Sequence, residues 1–322
     1  MLASTALLAH FEAGIRKNGI PTRLHVEGLA AILTSRPATY PVTQLAREIF
    51  DFHACDSAIM ACIQGVPSPF ERVARAYFAN NRIGYSDCDR AQLKALGTEL
   101  FIRIPRLVGL VRSLRLQPAP ENILLLDALR LTESLLSLRD PQAEGRLLRN
   151  IKVNTSDDTG AASPLWQNLY FVSVDDFEAL AYYWQNRLSL LRLEQRLHNV
   201  QPNITDEPEV HFRSSFGSRT NEMFRLMESI LLCADYAETL SLRKHGRMFA
   251  RAMIVVWGVI MDIRLGLIQD GEWTSTMPEQ VLRSANTALA VKPDFTIEDM
   301  DNAADIFVGG QPKGRFVELY GL

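Results

Sequence analysis

An all-α fold is predicted by three features of the sequence. Apolar residues recur at helical spacing along most of the chain, proline and glycine punctuate those runs, and no stretch alternates convincingly as a strand would. The 322 residues are 47% hydrophobic and 22% charged, a composition that supports a substantial core. The expected organisation is a single all-α domain over 1–322, with loop 153–165 as the candidate sub-domain boundary. A net charge of −3 gives no general attraction to nucleic acid or an anionic membrane.

Taken in order, Leu7, Phe11 and Ile15 step by four and mark a first helix, closed by Gly19 and Pro21. The opening stretch lacks a positive segment and meets Glu12 early, so it is not read as a signal peptide. Leu29, Ile32 and Leu33 carry a second helix that ends before Pro37. Pro41 should open a third, through "AREIFDFHACDSAIMACIQ", which Gly65 and Pro67 stop. Ser86 with Asp89 resembles a capping box, and Pro105 should break or kink the helix that follows. A helix over 122–138 ends near Pro141. "VNTSDDTGAASP" is polar and rich in turn formers, as is "QPNITDEPEVHF". Between them Phe177, Leu180, Trp184, Leu188 and Leu191 form an amphipathic stripe. Further helices are expected over 219–244, 247–268 and 278–290. The apolar run "AMIVVWGVIM" reads as a buried helix, because a membrane span needs about 20 residues.

The helix from Ala46 holds His53, Cys55 and Cys62, which raises the question of a metal. Its cysteines are one heptad apart, about 10 Å along a helix axis. A disulfide needs Cα atoms about 4.4–6.8 Å apart, so the two cannot bridge. His53 projects away from both, and no CxxC pair occurs, so no metal site and no cofactor is expected. Asp56 is different: it falls at the centre of an arc made by Ile49, Phe52, Cys55, Ile59 and Ile63. A carboxylate there requires a partner, either an arginine or the polar part of a ligand cavity. Tyr183 and Trp184 on the amphipathic stripe, with Trp257 in the most apolar helix, are the aromatics suited to line such a cavity. Asp56, Tyr183, Trp184 and Trp257 are therefore the candidate ligand-binding residues.

Other charged features read as structural. Ser173 looks like an N-cap, with Asp175 and Asp176 in the first turn and Arg192, Arg196 and His198 mirroring them at the far end. Arg103, Arg106, Arg112 and Arg115 read as a solvated face, and "RKHGR" (Arg243–Arg247) as a basic helix junction. No GxSxG, HExxH, phosphate-loop or dinucleotide fingerprint appears, so no catalytic residue is assigned.

Several segments, in order, resemble the C-terminal regulatory domain of fungal zinc binuclear-cluster transcription factors. They are "LLAHFEA", "HVEGLAAIL", "LAREIFDFHACDSAIMACIQGVPSP", "VSVDDFEALAYYWQNRLSLLRLEQRL" and "ARAMIVVWGVIM", together spanning roughly residues 1–300. Two departures stand out. Trp257-Gly258 replaces the family's Trp-Pro, and no six-cysteine DNA-binding cluster is present. The resemblance implies a nuclear regulatory domain without its own DNA-binding module. It would control transcription of metabolic genes through a small-molecule effector or a protein partner, with no sequence-specific DNA binding by this chain and no membrane. The alternatives are a biosynthetic enzyme or auxiliary protein that reuses the domain to bind an apolar metabolite, and a chain whose zinc module lies upstream of Met1.

Overall fold

The computed structural model describes residues 23–35, 43–72, 88–117, 122–155, 167–200, 210–240, 242–268, 277–289 and 294–320. The expected first helix at Leu7–Ile15, the Pro41 start signal and Ser86 of the expected capping box lie outside these residues. The described fold is all-α apart from one short hairpin.

Two helices, α1 (Arg23–Thr34) and α2 (Gln44–Gln64), lead to the long α3 (Asp89–Leu116). Thr43 caps α2 by accepting from Ala46 N at 3.3 Å. Its other end closes as the sequence predicts: Gly65 turns left-handed at φ 70° and Val66 N donates back to Ala61 O. Arg112 of α3 completes that cap, with Nη1 on Ile63 O and Nη2 on Cys62 O, both at 2.9 Å. This arginine is buried, so the solvated-face reading holds for Arg106 and fails for Arg112 and for Arg103.

The α3 helix begins with Cys88 at its N-cap, whose side chain makes no capping bond. It also runs without a break through Pro105. Proline removes one internal hydrogen bond, but burial of Leu100, Ile104, Leu107 and Val108 on both sides of it outweighs that loss. Then follow α4 (Asn122–Leu136) and α5 (Pro141–Leu148). Asp140 caps α5 through Gln142 N and Ala143 N, with Pro141 in the first turn.

Where the sequence shows only a polar loop, β1 (Lys152–Thr155) and β2 (Gln167–Tyr170) pair antiparallel, Lys152 opposite Tyr170. The strands are four residues each, too short to display an alternating pattern. The main hydrophobic cluster includes residues from both before and after this hairpin, among them Leu131, Leu169 and Trp184.

The centre of the molecule is α6 (Val174–Val200). It is amphipathic in sequence, yet from Ala179 to Gln195 every residue except Tyr182 is buried. It lies against α3, α4, α7 (Val210–Leu232) and α9 (Leu242–Arg264). The short α8 (Ala234–Glu238) precedes α9, so the "RKHGR" segment belongs to the first turns of α9 rather than to a junction. Every residue from Phe249 to Ile260 is buried, as the apolar run predicts. The described residues end with α10 (Met277–Leu289), α11 (Ile297–Ile306) and α12 (Arg315–Tyr320), of which the last two were not anticipated. No helix among the described residues is long and apolar enough to cross a membrane.

Candidate functional site

Because α6 is enclosed, most of its polar residues find partners inside the fold. One set lies at the middle of the helix. Asn186 donates to Gly97 O of α3 and to Tyr182 O, and its Oδ1 accepts from Arg251 Nη2 of α9 at 2.5 Å. The Arg251 guanidinium carbon stands 3.4 Å from the centroid of the Phe101 ring. Burial pulls this guanidinium down to about 10, despite the opposing influence of Tyr182, Cys62 and Cys55. Burial likewise pushes the Cys62 thiol up to about 12, although Arg251 and Arg112 favour its ionised form.

The four residues expected to share a cavity are distributed around this network. Asp56 is half-buried on α2. Its neighbour Cys55 places Sγ 3.1 Å from the Tyr182 hydroxyl, so α2 and α6 meet one residue away from both Asp56 and Tyr183. Tyr183 and Trp184 are buried, but the two tryptophans turn to different carboxylates. Trp184 Nε1 donates to Glu144 of α5 and Trp257 Nε1 to Asp301 of α11, each at 2.7 Å. Glu144 also accepts from Arg225 Nη1 of α7 at 2.8 Å, so that carboxylate ties three helices together.

A cleft of about 480 Å³ opens elsewhere, at the C-terminal end of α6, and none of those four residues lines it. Its inner wall is built from Arg192, which is buried. Arg192 Nε donates to Asp262 Oδ2 at 2.8 Å and its Nη1 to Ala304 O at 3.2 Å. Arg196, one turn further on, donates to the other oxygen of the same carboxylate. Gly258 makes this packing feasible, since a Cβ there would stand 2.0 Å from Arg192 Nη1. The glycine that follows Trp257 therefore has a steric role in this chain.

Arg115 of α3 closes one side through Asp305 at 2.8 Å and Val308 O at 3.4 Å. Arg315 closes the other, 3.7 Å from Asp299. Exposed Glu298 and Lys313 stand at the rim. Burial holds the Arg196 guanidinium below its ordinary value; Asp262 opposes that shift, and Arg192 and Arg115 add to it. Guanidinium groups do not exchange protons near neutrality but bind carboxylates and phosphates through directed N–H pairs. The chemistry this arrangement offers is recognition of charge.

In the sequence Arg192 and Arg196 read as helix-end charges. One signal does mark Arg192: it lies one turn beyond Leu188 and two beyond Trp184, on the stripe that faces the core. Asp262 follows directly on the apolar run that ends at Met261, and no local pattern links it to Arg192. Among the described residues no group of three or more His, Cys, Asp or Glu side chains is placed to hold a metal ion.

The fold and the cleft define a class of molecule, a helical domain with an ion-paired cleft braced by a polar core helix. No family model, no curated protein and no solved structure matches the chain.

Proposed function

We propose that the chain is a regulatory domain of the kind found in fungal zinc-cluster transcription factors, and that it acts by binding an effector in the charged cleft. The supporting observation is how the cleft is closed. Arg192 and Arg196 of α6 share Asp262 of α9, while Arg115 of α3 holds Asp305 of α11. A ligand that engages these guanidiniums perturbs the pairs that join α6 to α9 through Asp262 and α3 to α11 through Asp305. That couples occupancy to the packing of α11, which is what a sensor requires. The resemblance adds the setting, control of metabolic genes in the nucleus, with DNA read by a separate module or partner.

The test is a reporter assay in a fungal host, with the chain fused to a heterologous DNA-binding module. Asp305→Asn and Arg115→Gln loosen the cleft without touching the buried arginine. Each is expected to change reporter output at least about threefold at equal protein level, the effect of a coupling near 0.7 kcal/mol. Unchanged output from both folded variants overturns the proposal.

A further inference from the structure

The cleft lining holds five cations and five carboxylates, but the match is uneven within its arginine cluster. Asp262 and Asp305 are the carboxylates that receive Arg115, Arg192 and Arg196, so this trio carries one positive charge more than its partners neutralise. Arg192 and Asp262 are almost completely enclosed, and Arg196 is mostly so. The cluster's surplus charge is offset only by the cleft's other carboxylates, and in such enclosed surroundings an anion seated among the arginines is favoured.

The Arg196 Nε hydrogen is a second sign. It is buried without an acceptor among the described residues, as are those of Arg103, Arg112 and Arg251, but of these four arginines Arg196 is the one that lines the cleft. A buried donor left without an acceptor is costly, and a rotation of the guanidinium would present it to an oxyanion in the cleft. The volume, about 480 Å³, suits a small metabolite rather than a macromolecule.

The acidic lining sharpens the choice. Glu298, Asp299 and Asp301 project from α11 into the same space. They repel an extended polyanion such as a nucleic-acid backbone, but leave room for a compact anionic group set against the arginines. We infer that the cleft binds a small molecule through one carboxylate or phosphate group, seated between Arg115, Arg192 and Arg196. This deepens the effector-binding reading above and rests on it for any regulatory consequence.

Titration calorimetry on the purified full chain at low ionic strength tests the inference, with inorganic phosphate and succinate as probes and chloride as the control. At least one probe is expected to bind with Kd below about 1 mM, and chloride more weakly by about tenfold or more. Arg196→Gln removes a guanidinium facing the cleft and is expected to weaken that binding by about tenfold. Should that variant lose its cooperative melt, Arg115→Gln, at a more exposed position, carries the same expectation. Binding of phosphate alone assigns a phosphate ligand, and binding of succinate alone a carboxylate.

Absence of binding by either probe up to about 10 mM overturns the inference, as does affinity unchanged in both folded variants. The two proposals fail separately. Reporter output that responds to cleft variants without anion binding sinks the anion and leaves the sensor. Anion binding with an unresponsive reporter does the reverse.

Discussion

Asp262, itself almost fully buried, accepts from two arginines, so its removal leaves two largely enclosed cations facing each other. Asp262→Asn is expected to destabilise the fold by about 3–5 kcal/mol, read from urea denaturation. Gly258→Ala places a methyl group where the Arg192 guanidinium lies and is expected to cost about 1–3 kcal/mol. Combined with Arg192→Leu, the alanine should cost clearly less than it does alone, because the clash is then gone. Alkali probes a different residue. The Cys62 thiol ionises near its ordinary 9.0 in the unfolded chain but only near 12 in the folded one. The folded state therefore holds the proton that the unfolded state releases, so stability falls as pH rises above 9. Arg251, pulled down to about 10, works in the opposite sense from there upward, so the window is pH 9 to 10, where the raised thiol of buried Cys233 adds a decline common to parent and variant. In that window thermal melts of Cys62→Ala should decline less with pH than those of the parent chain.

Helix ends supply the next level of control. In the α11 capping box Thr296 Oγ1 accepts from Asp299 N while Asp299 accepts from Thr296 N. Thr296→Ala is expected to cost about 1 kcal/mol and to lower the melting temperature. The Glu144 carboxylate joins α5, α6 and α7, so Glu144→Ala should cost more, about 3 kcal/mol, by leaving Trp184 Nε1 buried without its acceptor. Elements of this kind differ in how openly the sequence announces them. The long α6 and α9 are legible because apolar residues recur over many turns, and the end of α2 because glycine and proline mark it. The hairpin is hidden by strands too short to alternate, and α11 by a buried face made largely of Ala303, Ala304 and Met300 beneath an acidic surface. The cleft is hidden for another reason. Arg192 and Asp262 lie 70 positions apart, and their meeting depends on how α6 crosses α9, which no local pattern encodes.

Across the whole molecule the core is not uniform. A smaller cluster of Val26, Leu29, Leu33, Phe50 and Phe70 joins α1 to the first half of α2 and reaches α3 through Ile102. The larger cluster surrounds α6. Hydrogen exchange should divide along this line, with α1 amides exchanging at least about tenfold faster than those of central α6; equal rates would show that both clusters open together. The Gly258–Arg192 contact carries a further meaning for the whole chain, in its history rather than its stability. A side chain at 258 is more easily admitted once 192 has become small or short, and that step leaves Arg196 as the remaining arginine on Asp262. Change at these three sites is thus biased toward a route beginning at 192. Descendants with proline or alanine after the tryptophan should lack the arginine, while those that keep the arginine should keep the glycine.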